Sequence, residues 1–201
     1  MSEATRSEPV YRLRMWPKDV GVALVTLLLL LAGGLVMFTT TTRTRDFQDD
    51  QSPLRFAYPA AWLSVAAPPD VLLAVVDPAT PSAAKTTMSV EGRPLDPASP
   101  PTLQTLLDRR VEQRQQLTGY HFLSEAETEV GGARAIVSEY AYVVQPIDEP
   151  RRASLPVVMQ AREYIIVTAD QSYYVTLAAP EPAYQRASRQ FERVIRSMVV
   201  Q

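Results

Sequence analysis

Between Val20 and Phe38 the chain runs for 19 residues without a charge, and five of them in a row, Leu27 to Leu31, are leucine. A helix of that length rises about 28 Å, close to the ~30 Å hydrocarbon thickness of a bilayer. A soluble helix this long would keep one polar face, and this one has none. The run is also too long for a secretory leader, whose apolar core is about 7 to 15 residues and ends in a small-residue cleavage site. The next residues, "TTTTRTRD", offer no such site, and the chain has no cysteine for a lipid anchor. Residues 20–38 therefore read as an uncleaved transmembrane helix, preceded by a cytoplasmic stub over 1–19.

Orientation comes from the flanking basic residues. Arg6, Arg12, Arg14 and Lys18 precede the span, and only Arg43 and Arg45 lie close after it. That asymmetry places the N-terminus in the cytoplasm and everything beyond residue 42 outside a cytoplasmic membrane. Residues 43–201 hold 16 Lys and Arg against 19 Asp and Glu, a formal charge of −3. Nucleic-acid binding wants a basic stripe, and none is present.

Residues 39–53 are polar and poor in large apolar side chains, so they are expected to form a tether reaching at most about 45 Å from the bilayer. A domain over 54–201 should come next. Leu54, Phe56 and Tyr58 alternate onto one strand face up to Pro59, and Leu63 to Val65 resumes an extended segment. "VLLAVV", residues 71–76, reads as a strand buried on both faces, and "TTMSVE", 86–91, alternates again. Thr102 is a suitable N-cap for a helix carrying Leu103, Leu106, Leu107, Val111 and Leu117 on one side, with Gly119 placed to stop it. Four more extended runs cover 120–130, 133–145, 157–169 and 172–179. Gly131-Gly132 joins the first two as a hairpin turn. With no helical crossover between them they must form an antiparallel meander. A last helix begins near Pro182, with Tyr184, Ala187, Phe191, Val194, Ile195 and Met198 along one stripe and Glu192–Arg196 as an i,i+4 pair. The class is α+β, an antiparallel sheet of about six to seven strands flanked by helices, plus one N-terminal transmembrane helix.

Particular residues carry a resemblance. "FAYPAAW", residues 56–62, resembles the opening motif of the PsbP-like superfamily. The stretch 161–198 resembles its ending: a strand with tyrosine and threonine (Tyr174, Thr176), an alanine-proline break (Ala179-Pro180), and a helix with a central phenylalanine (Phe191) and a terminal serine (Ser197). That superfamily includes extrinsic photosystem II subunits, a yeast nuclear-import accessory protein and bacterial extracytoplasmic proteins. The resemblance implies an α/β/α sandwich; it does not imply one activity.

Chemistry-bearing residues are few. His121 is the only histidine, and metal sites combine several ligands. It has no evident nucleophile beside it in "GYHFL", so it reads as an ordinary strand residue. Glu125, Glu127 and Glu129 share one strand face; they would suit a hard cation, but a solvated or charge-protected edge explains them better. Tyr140, Tyr142, Tyr164, Tyr173 and Tyr174 suit the layer between sheet and helix more than a partner surface. Arg151-Arg152 and the arginines of the last helix would meet an anionic partner only if not simply solvated. Gly33-Gly34 would let another helix approach closely in the membrane. No catalytic, cofactor or metal residue is expected, and the chain is not expected to be an enzyme. The leading expectation is an extracytoplasmic binding or assembly module, accessory to a membrane or envelope protein complex. A carrier or receptor for a small apolar or lipid ligand is the alternative, and a hydrolase built on His121 the remotest.

Overall fold

The computed structural model describes residues 17–49, 52–96, 98–145 and 155–200. The expected cytoplasmic stub falls outside them up to residue 16, as do Arg151 and Arg152. Two compact units divide at Thr42 and Arg43. The first is helix α1, Pro17–Thr42, whose apolar span Val20–Thr39 has a mean hydropathy of 2.6. Its leucines and valines are exposed along the whole span. The hydroxyls of Thr26 and Thr39 donate to the carbonyls of Val22 and Val36 (2.9 and 3.0 Å), so neither needs water as a partner. This is a helix without a hydrophilic side, as the sequence requires.

The second unit begins at once. β1 (Thr44–Asp49) is separated from α1 by Arg43 alone, and it pairs antiparallel with β2 (Ser52–Pro59), Thr44 lying opposite Pro59. The expected tether over 39–53 is therefore corrected: its first four residues extend the helix, and 44–49 belong to the sheet. The composition misleads because β1 is an edge strand whose residues are mostly exposed. It needs one apolar anchor, Phe47, stacked on Phe56 with ring centroids 4.8 Å apart.

The remaining strands are β3 (Leu63–Ser64), β4 (Val71–Asp77), β5 (Thr86–Pro94), β6 (His121–Val130), β7 (Ala133–Val144), β8 (Val157–Val167), β9 (Gln171–Pro180) and β10 (Val199–Val200). Two helices complete the unit, α2 (Leu103–Arg114) and α3 (Glu181–Ser197). β3 to β9 form one seven-stranded antiparallel sheet in the order β3-β4-β5-β9-β8-β7-β6, and β1-β2-β10 form a small second sheet. The meander β6-β7-β8-β9 is present as the short connections demand. β4 is buried at Leu73 and Val75 only, so the expectation of two buried faces does not hold; near the sheet edge its other face stays half-covered.

Topology explains the layers. The connection from β5 to β6 crosses β9, β8 and β7, and α2 lies over that face. The connection from β9 to β10 carries α3 over the opposite face, where it shares a core with β2. Phe191, Leu54, Tyr173, Val175 and Leu177 are fully buried there, and Trp62 closes the edge. Ser197 ties α3 to β2: its hydroxyl accepts from the Ala57 amide at 3.0 Å and donates to the Val194 carbonyl at 2.7 Å. The architecture is the expected α/β/α sandwich, with the small sheet sharing the α3 side.

Two adjacent glycines differ in what they tolerate. Gly131 and Gly132 have φ of 58° and 85°, as a two-residue hairpin with right-handed strand twist requires. A Cβ at Gly131 would also lie 2.8 Å from the Met198 carbonyl, whereas one at Gly132 would meet nothing within 4 Å. Gly132→Ala should cost only the positive-φ strain of about 1–2 kcal/mol. Gly131→Ala should cost more, because it also pushes away the backbone leading into β10. For a domain of this size each 1 kcal/mol lowers Tm by about 2–4 °C, so the two variants separate in a thermal melt followed by circular dichroism.

Candidate functional site

The α2 face of the large sheet is not the apolar surface that a leucine-striped helix suggests. Strand register places Ser89, Thr176, Glu163, Ser138 and Glu125 in one row across β5, β9, β8, β7 and β6. The adjacent row carries Glu91, Tyr174, Ile165, Ile136 and Glu127. α2 is capped by Thr102, whose hydroxyl accepts from the Thr105 amide at 3.1 Å, and lays Leu106 and Leu107 against Ile136, Ile165 and Tyr174. One turn further it lowers Arg110 into the polar row.

Arg110 and Glu163 centre a buried ionic cluster. The Glu163 side chain is 1% exposed, and one of its carboxylate oxygens accepts three bonds: from Arg110 Nε at 2.9 Å, Arg114 Nη2 at 3.2 Å and Thr176 Oγ1 at 2.7 Å. Arg110 Nη2 donates to Glu91 at 2.7 Å, and Arg93 reaches the other Glu91 oxygen at 3.4 Å. The Arg110 guanidinium also lies over the Tyr174 ring, 4.7 Å from its centroid, and Arg114 over Tyr140 at 5.6 Å. Burial alone would lower the pKa of Arg110, but Glu163 and Glu91 together outweigh it and hold the guanidinium above its ordinary value. Burial likewise pushes the phenols of Tyr140 and Tyr142 up, so both stay neutral. A second, shallower network on the α3 side joins Arg162 to Glu139 (2.7 Å) and Glu192 (3.0 Å), and Glu192 to Arg196 (3.4 Å) as the i,i+4 pair anticipated from sequence.

Two cavities flank these elements. One, of about 370 Å³, opens between α2 and the strand ends where β5 finishes and β9 begins, and is lined by Arg93, Arg109, Arg110, Asp96, Ser172 and Tyr174 among others. The other, of about 500 Å³, lies at the start of α3 and is mostly apolar, with Pro81, Pro156, Val157, Val158, Pro180 and Pro182 in its walls.

The residues singled out from sequence scatter. His121 is exposed at the start of the edge strand β6, and among the described residues no hydrogen bond joins it to a serine or carboxylate. Glu125, Glu127 and Glu129 are exposed on that strand, and among the described residues no group of three His, Cys, Asp or Glu is placed to hold a metal ion. The tyrosines divide between the faces: Tyr140, Tyr142 and Tyr174 under α2, Tyr164 and Tyr173 on the α3 side, where Tyr164 packs edge-on to Phe191 at 5.7 Å. Gly33 and Gly34 face open space.

Arg110, Glu163 and Glu91 were not among the sequence candidates. The signal was there, however. Arg110 falls three and four residues after Leu107 and Leu106, on the buried stripe itself, and Glu163 sits at period two between Ala161 and Ile165.

No protein-family model matches the chain, and no curated protein is similar to it in sequence. Solved structures are similar in fold. Cyanobacterial PsbP from Synechocystis superposes with a TM-score of 0.57 at 15% identity, over 79% of this chain and 92% of that one. LpqN of Mycobacterium tuberculosis, described as involved in cell envelope biogenesis, superposes with a TM-score of 0.56 at 10% identity, over 78% of this chain and 90% of that one. At such identities the likeness is one of fold. The chain has the PsbP-like fold that its motifs imply, and Tyr174 and Thr176 of those motifs are members of the ionic cluster.

Proposed function

We propose that this PsbP-like domain is a non-catalytic binding or assembly module, mounted on a single-pass helix in a bacterial cytoplasmic membrane and standing outside the cytoplasm as an accessory to a membrane or envelope protein complex. One observation carries the reading: an exposed apolar span is succeeded by the first strand of the domain with only Arg43 between helix and sheet. A domain on so short a lead works on neighbours in or at the same membrane, because it has no tether with which to reach further. The described role of LpqN in envelope biogenesis is consistent with such a task on this fold.

Purification from native membranes in mild detergent should bring down a stoichiometric membrane or envelope protein; free monomer alone under every condition would count against an assembly role. Orientation has its own test. A periplasm-dependent reporter fused after Gln201 should be active, and a cytoplasm-dependent one silent; the reverse result inverts the topology.

The apolar groove at the start of α3 favours a second reading, a carrier for a small apolar ligand. That groove would hold the ligand, since its walls are mostly apolar whereas the cavity beside α2 is lined by arginines. Native mass spectrometry of the protein ejected from micelles would then show a retained lipid mass.

A further inference from the structure

The cavity beside α2 has a chemistry of its own. Among its lining residues are three guanidinium groups, those of Arg93, Arg109 and Arg110, against one carboxylate, that of Asp96. Asp96 is exposed and uses Oδ1 to accept from the Ala98 amide at 2.9 Å, shaping its own loop. Beneath the cavity the balance leans the same way: Arg93, Arg110 and Arg114 share only Glu91 and Glu163. Donors outnumber acceptors there. Arg110 Nη1 finds only the amide oxygen of Gln113 at 3.4 Å; Arg114, one turn further along α2 and outside the cavity wall, adds a buried Nε without an acceptor among the described residues. A cationic excess at a poorly hydrated site is costly until an anion joins it.

The wall is also organised in advance. Arg110 is held by Glu163, Glu91 and the Tyr174 ring, and Arg93 is drawn to Glu91 and lies 5.5 Å over the same ring. Their rotamers are settled before any ligand arrives, which lowers the entropic cost of binding. Arg109 stands exposed at the mouth with no bond to a described residue, and Ser99, Gln113 and Ser172 add neutral polar groups. Guanidinium forks match the planar oxygens of a carboxylate and the tetrahedral oxygens of a phosphate. A volume of about 370 Å³ suits a small molecule.

We propose that the cavity lined by Arg93, Arg109 and Arg110 is a binding site for a small oxyanion, the carboxylate or phosphate group of a low-molecular-weight ligand. Arg110 forms its fixed floor, Arg93 its side and Arg109 the arm that closes on the anion. The site lies on the domain itself and stands whether or not the assembly role does.

The full chain in detergent micelles is titrated calorimetrically, at low ionic strength, with inorganic phosphate and separately with succinate. Saturable one-to-one binding of at least one probe, at millimolar concentration or below, is expected, and which probe binds distinguishes a phosphate ligand from a carboxylate. Arg109→Ala should weaken it about tenfold, the loss of one charge-assisted hydrogen bond, with an unchanged melting curve because Arg109 has no partner to lose among the described residues. Arg189→Ala, an exposed arginine on α3, should leave affinity unaltered. No saturable binding of either probe overturns the proposal. So does equal weakening by Arg109→Ala and Arg189→Ala, which would reduce the effect to the general attraction of anions to basic side chains.

Discussion

Replacing Glu163 by leucine should destabilise the domain by about 3–5 kcal/mol, the usual consequence of removing one member of a buried ion pair. The carboxylate oxygen that accepts from Arg110, Arg114 and Thr176 serves all three at once, so its loss leaves Arg114 and the Thr176 hydroxyl without that acceptor and Arg110 with Glu91 alone beneath α2. The control is Arg110→Met in the same background. Apolar replacement of both members removes the Arg110 charge that Glu163→Leu leaves partly uncompensated, though Arg114 still lacks its partner, so the double variant should be more stable than the sum of the single losses predicts, with a coupling of about 1–3 kcal/mol. Glu91 then keeps only its longer contact with Arg93, which limits the recovery. Denaturant titration of the four proteins supplies the cycle. Strictly additive losses would mean that Arg110 and Glu163 are neighbours without being energetically joined.

That cluster shows which parts of a chain can be read ahead of its structure. The meander was legible because Gly131-Gly132 and the other short connections permit nothing but antiparallel neighbours, and α3 because its apolar residues recur every three to four positions. The cluster was not legible as a unit: its members come from β5, α2, β8 and β9, and only the long crossover carrying α2 across β9 and β8 brings Arg110 above Glu163. Its charged members nevertheless break a local rule, a charge on an apolar stripe or on an inward strand face, and buried charges stay only where partners meet them. β1 failed for the opposite reason. Its pairing with β2 rests on backbone hydrogen bonds and one phenylalanine, and backbone bonds leave no trace in hydropathy. The end of α2 also differs from the expectation: the helix stops at Arg114, with Leu117 N bonding to the Arg114 carbonyl, so Gly119 (φ 64°) serves the turn into β6 and does not cap the helix.

Introducing arginine at both Leu28 and Leu31 should release the chain from membranes. Each arginine near the middle of a span costs about 2.5–3.5 kcal/mol on the insertion scale, so the pair costs about 5–7 kcal/mol. Leu28 and Leu31 are exposed, and no partner among the described residues shelters them to offset this. After alkaline carbonate extraction the variant should appear in the soluble fraction, while the parent stays with the lipid. The released domain should melt like the parent, since Thr42 and Arg43 divide two separately compact units. Retention of the doubly substituted chain in the pellet would show that something other than the apolar helix holds it there. The short junction makes this more than a test of anchoring. If the assembly role proposed above holds, a domain that folds normally yet no longer co-purifies with any membrane protein would show that this role depends on α1.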